Sequence, residues 1–143
     1  GRRELEYLAH RASSYRAHLQ ALVELAEIYA SYREAFDLLD HRDLEPFRRA
    51  LEGLIARAGR GHALARLSAG EMAACAEHPT DLGVLWMLSK SMVTGTRVLG
   101  GYLANVLAYY QGREYWRELD WHLLFGSCPY PTHGLEGIGA EPG

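Results

Sequence analysis

Seven histidines, two cysteines and 18 acidic residues are the metal-ligand inventory of this 143-residue chain, and their spacing tests whether they can converge. The most specific pattern is Cys75-x-x-His78 together with Cys128-x4-His133. Two thiolates and two imidazoles in close pairs suit tetrahedral zinc, which would clip a glycine-rich C-terminal tail to the body. The competing reading is that Cys75, inside MAACAEH, is a small core residue and the other three are incidental. Other metal patterns fail. No Glu is followed three residues later by His, as a di-iron bundle requires, and His-Glu-x-x-His is absent. His10 and His18 lie about 12 Å apart along one helix, too far to share an ion. No cofactor other than zinc is expected.

Arg117-x4-His122 resembles the Arg-x4-His signature of HEPN-type RNases, small helical proteins in which the two residues act on RNA phosphate, typically from the inner face of a dimer. Arg57-x4-His62 has the same spacing. The resemblance covers six residues, and Glu118 and Ala58 stand where the family usually carries a polar residue such as asparagine. Nucleophilic chemistry finds less support. Cys128 precedes Pro129 with no helix N-terminus to depress its pKa, and no Gly-x-Ser-x-Gly elbow exists. The glycines of GTRVLGG and GRGH lack the preceding strand and the lysine of a phosphate loop. A ligand-binding reading rests on Trp86, Tyr102, Tyr109, Tyr110, Tyr115, Trp116 and Trp121, with His122. Such rings could line a cavity for a small hydrophobic molecule, and a bundle needs them equally to fill its core or an interface.

The elements that must position these residues are helices. Apolar residues recur at alternating intervals of three and four from Leu5 through Leu8, Ala12, Tyr15, Leu19, Leu22, Ala26 and Tyr29. That heptad seam predicts a first helix from Leu5 to Leu39, about 50 Å long, with one stripe buried and Arg11, Glu24, Glu27 and Glu34 in water. The seam has two uses: packing against the fourth helix, or a dimer contact if part of it stays uncovered. A second helix starts at Asp43 as N-cap with Pro46 in its first turn, and Gly59 and Gly61 end it. Ser68 and Glu71 have capping-box spacing for a short third helix closed by Pro79. Thr80 or Asp81 then caps a long fourth helix, with a kink expected near Gly95 to Gly101. Arg113 to Phe125 form the last helix, ended by Gly126. No strand pattern, hairpin turn or internal repeat is evident. The expected fold is all-α: an irregular bundle of about five helices, the first and fourth long, in one domain (1–126) with a Gly/Pro-rich tail (127–143).

Composition bounds the partners. A net charge of -3 gives none of the basic footprint that a phosphate backbone demands, so nucleic acid is not favoured. The most apolar stretch, Leu82 to Tyr110, contains Lys90, Arg97 and Asn105 and is expected to be a buried helix rather than a membrane span. Two cysteines fit a reducing, cytoplasmic setting better than a disulfide-stapled one. The reading that results is a noncatalytic interaction or oligomerisation module, a homodimer or part of a larger protein. A small-molecule-binding bundle, and then a zinc-containing or HEPN-like helical protein, are the alternatives.

Overall fold

The computed structural model describes residues 1–111, and within them every regular element is helical. Helix α1 spans Arg2–Asp37 and α2 spans Glu45–Cys75. Helix α3 (Pro79–Met87) continues through a π-helical segment, Leu88–Val93, into α4 (Thr94–Tyr110) without leaving the helical path, so the described residues form three rods. The expected last helix and the tail lie outside them.

Helix α2 replaces the two helices expected over this stretch. The Asp43 carboxylate accepts the Glu45 amide at 3.1 Å, and Pro46 occupies the first turn. The expected stop at Gly59 and Gly61 does not occur. Glycine weakens a helix by about 1 kcal/mol, which packing along the rest of the rod offsets. The buried residues of α2 are Phe47, Leu51, Leu54, Ala58, Gly61, Ala65, Ser68, Met72 and Cys75, an unbroken alternation of four and three. Bulk sits at the two ends of this seam and small residues occupy its middle.

Helix α1 meets it with small residues of its own: Ser14, Ala17 and Ala21, then Ile28 and Ala35. The two helices run antiparallel, as the pairs Arg3 with Glu77, Ser14 with Ser68 and Glu24 with Arg57 show. Close approach is enforced at Gly61, where an added Cβ would lie 3.5 Å from Glu24 Cβ and 3.9 Å from the Ala21 carbonyl. Ser14 and Ser68 exchange bonds across the pair, each hydroxyl donating at 2.8 Å to the other's backbone carbonyl. Ser68 is therefore part of the α1–α2 contact and caps nothing.

The third rod also packs along α2, and at Gly61 an added Cβ would lie 3.9 Å from Thr96 as well. Gly100 comes within 3.6 Å of the Ala58 side chain when a Cβ is added, while Gly95 and Gly101 face open space. Pro79 opens this rod instead of closing the previous one. His78, not Thr80 or Asp81, is the N-cap; Asp81 is the third residue of the helix and its carboxylate reaches back to accept the Glu77 and His78 amides at 3.3 and 3.2 Å. Irregularity falls earlier than the glycines, in the π segment, where hydroxyls engage the carbonyls. Ser91 donates to Met87 (2.6 Å), Thr94 to Ser89 (3.1 Å) and Thr96 to Met92 (2.6 Å). Two apolar clusters result. One gathers Ile28, Phe47, Leu51, Leu54 and Leu103, the other Ala65, Met72, Leu88 and Met92. Between them lies the small-residue waist at Ala58 and Gly61. No described helix is long and apolar enough to cross a membrane.

Candidate interaction surface

A heptad places residues two apart about 200° round the helix. The buried α1 series (Ser14, Ala17, Ala21, Ile28, Ala35) is offset by two from the apolar seam that starts at Leu5. The seam expected to be buried therefore faces outward, diametrically opposite α2. Leu5 is 68% exposed, Tyr15 65%, Tyr29 75%, and Leu19 and Leu22 stay above 40%. Leu8 and Val23 extend the same exposed face. The expected packing of the seam against the fourth helix is not what forms. A hydropathy reading chooses the most apolar stripe, but antiparallel helices at close separation select small residues, and α1 offers those on its other face.

The exposed stripe carries a repeat that simple inspection of the sequence missed. Residues 5–18 and 19–32 each read Leu-x-x-Leu-x-x-x-Ala-x-x-Tyr, from Leu5, Leu8, Ala12 and Tyr15 to Leu19, Leu22, Ala26 and Tyr29. The open edge of the stripe adds Ala9, Arg16, Val23 and Ala30, all exposed. Arg16 is the one charge among those four. On the other edge Leu25 and Tyr32 turn inward and pack against the two apolar clusters.

A polar cluster closes the end of the molecule where α1 begins. Asp81 is buried and accepts the Tyr7 hydroxyl at 2.9 Å and Arg11 Nη1 at 3.2 Å besides the two amides. Burial by itself would push its carboxyl up, but those four donors outweigh it and hold the pKa below the usual carboxylate value. Arg11 is pushed up in return, chiefly by its bond to Tyr7. Nearby, His10 Nδ1 lies 2.6 Å from Glu71. These groups tie three helix ends together and leave Asp81 committed to structural partners.

Only part of the candidate site set lies among the described residues. Cys75 is buried at the end of α2, its thiol pushed up by burial and then by the charge of Asp81. His78 is exposed, its ring edge-on to Tyr7 at 6.5 Å. Cys128 and His133, the other half of the zinc pattern, lie outside the described residues. Among the described residues no group of three or more His, Cys, Asp or Glu is placed to hold a metal. Of the aromatic set, Trp86, Tyr102, Tyr109 and Tyr110 lie among the described residues. Trp86 is 67% exposed on α3. Tyr102 shares a 3.3 Å hydrogen bond with Tyr32. Tyr110 packs edge-on against Phe36, Phe47 and Tyr109, with ring centroids 6.1, 5.3 and 4.8 Å away. Neither the groove of about 590 Å³ between α1 and α2 nor that of about 460 Å³ beside Tyr7 and His78 is lined by Trp86, Tyr102, Tyr109 or Tyr110. Tyr115, Trp116, Trp121 and His122 lie outside the described residues, as does Arg117.

The second Arg-x4-His spacing can be followed. Arg57 reaches α1, 3.0 Å from Glu24, while His62 Nδ1 turns to the third rod, 3.1 Å from both the Val93 carbonyl and the Thr96 hydroxyl. Five residues apart, the two side chains leave α2 about 140° from each other and share no cleft. Comparison with protein-family models, with curated proteins and with solved structures finds no significant match.

Proposed function

We propose that the chain is a noncatalytic helical interaction module whose contact surface is the outward heptad stripe of α1. The observation that carries this reading is the exposure of an apolar series at regular 3-4 spacing over eight positions, from Leu5 to Tyr29. Burying one large aliphatic or aromatic side chain contributes about 1.5–3 kcal/mol, so leaving six of this kind in water forgoes a large stabilisation. A helix that packs inward through Ala and Ser has no need of such a stripe for its own fold. Apolar patches of this extent mark contact surfaces for other proteins. The polar groups also favour a noncatalytic role, because buried Asp81 and half-buried His62 and Arg57 are each taken up by partners within the bundle.

Hydroxyl-radical footprinting of Tyr15 and Tyr29 in the full chain tests the reading. Protection of both side chains is expected at micromolar concentration or on adding cell extract, with Trp86 labelled throughout. Full labelling of Tyr15 and Tyr29 under all these conditions, in a protein that remains helical, contradicts it.

A further inference from the structure

The stripe on α1 is self-complementary in one direction only, and we infer that its occupant is a second copy of this chain, with the two α1 helices antiparallel and their two-fold axis between Leu19 and Leu22. The inference rests on the interaction-module reading and deepens it by naming the partner. In a coiled-coil seam an antiparallel pair brings the first apolar position of each heptad against the second apolar position of the other helix, whereas a parallel pair sets like positions against like. The alternation along α1 decides between these.

In the proposed register Leu19 faces the partner's Leu22, Tyr15 faces the partner's Ala26, and Ala12 faces the partner's Tyr29. Two-fold symmetry doubles each contact, giving six successive layers that are either Leu on Leu or a ring over an alanine. Every large ring meets the smallest side chain available, so the layers fill evenly. A parallel, in-register pair gives the opposite result. Ala12 and Ala26 each meet themselves and leave a void, and the neighbouring Tyr15 and Tyr29 layers are overfilled. It also sets Arg11 beside the partner's Arg16 at the seam edge. In the antiparallel register Arg16 lies beside the partner's Val23, and Ala9 beside the partner's Ala30.

The other long antiparallel overlap moves the axis by half a heptad. It sets Arg16 against itself and places leucines over both tyrosines and alanines, so it loses on charge and on even filling. The six layers span residues 12–29, about 27 Å of helix; beyond them Leu8 meets the partner's Arg33, and Phe36 packs inward on Phe47. Tyr15 and Tyr29 alone, 65% and 75% exposed, offer on the order of 300 Å². That is more than a third of the roughly 800 Å² per partner in a standard interface, before any leucine is counted.

Cysteine cross-linking of the full chain tests both partner and direction, in a background with Cys75→Ala and Cys128→Ser. The double variant Tyr15→Cys, Ala26→Cys is expected to yield a covalent dimer on mild oxidation. The two positions are about 16 Å apart within one helix, beyond the reach of an internal disulfide. Ala26→Cys alone is expected to stay uncross-linked, because its symmetry mate is as far away. The unsubstituted chain should scatter light as twice its 16.0 kDa. A monomeric mass at tens of micromolar, cross-linking by Ala26→Cys alone, or none by the helical double variant overturns the inference. If the pure chain is monomeric but extract still protects Tyr15 and Tyr29, the second copy is wrong and the module reading survives. If the pure chain is monomeric with both tyrosines protected at every dilution, residues 112–143 of the same chain cover the stripe and both readings fail.

Discussion

Asp81 and Tyr32 act on stability at opposite ends of the pH scale, and their signs differ. Asp81 has its folded pKa held below the ordinary 3.8, so its contribution is complete above that value and is lost as the pH falls through the folded pKa. Burial and then the bond to Tyr102 push Tyr32 up to about 12 from an ordinary 10.0. Its contribution is present below pH 10 and disappears between there and about pH 12. Thermal melts from pH 2 to 12 should therefore show stability falling at both ends. Asp81→Asn should lower the melting temperature at neutral pH and flatten the acid fall, and Tyr32→Phe should flatten the alkaline one. The same residue scale explains what sequence reading missed. Asp81 was expected only to cap a helix, because nothing in its neighbours in sequence announces Tyr7 and Arg11, which arrive from 70 or more positions away.

Within elements, glycine had two meanings that the sequence does not separate. Gly59 has open space around its missing side chain, while Gly61 sits against α1 with neighbours at 3.5 Å. Gly59→Ala should stabilise the protein by about 0.5–1 kcal/mol through helix propensity. Gly61→Leu should cost about 1–3 kcal/mol by overpacking the waist. Urea denaturation of the two variants checks the contrast, and equal effects would contradict the assignment of the waist. Thr96 belongs at this scale too. Its hydroxyl donates at 2.6 Å to Met92 and lies 3.1 Å from His62, so Thr96→Val should cost about 1–3 kcal/mol by stranding buried polar groups.

The all-helical class, the extent of α1 and the start of α2 were legible because periodicity and capping are local signals. The continuity of α2 was not, since long-range packing overrode the stop that Gly59 and Gly61 suggest. The face of α1 was misread for a related reason. Hydropathy ranks leucine and tyrosine above alanine and serine, and an antiparallel pair in close contact ranks them by size.

At the scale of the whole bundle, three rods among the described residues, built on a small-residue waist, leave the most apolar stripe of α1 on the outside. Under our proposal that stripe meets a second copy of the chain. Substituting Leu19→Lys together with Leu22→Lys puts four charges at the proposed two-fold axis without touching the face that packs on α2. Helix content and the intramolecular seam should be retained, and the dimer dissociation constant should rise at least about a hundredfold. Light scattering coupled to gel filtration, on the parent chain and this variant side by side, tests the central claim most directly. The account predicts twice 16.0 kDa for the parent and 16.0 kDa for a helical variant. Equal masses for two folded proteins, whether both monomeric or both dimeric, would contradict it.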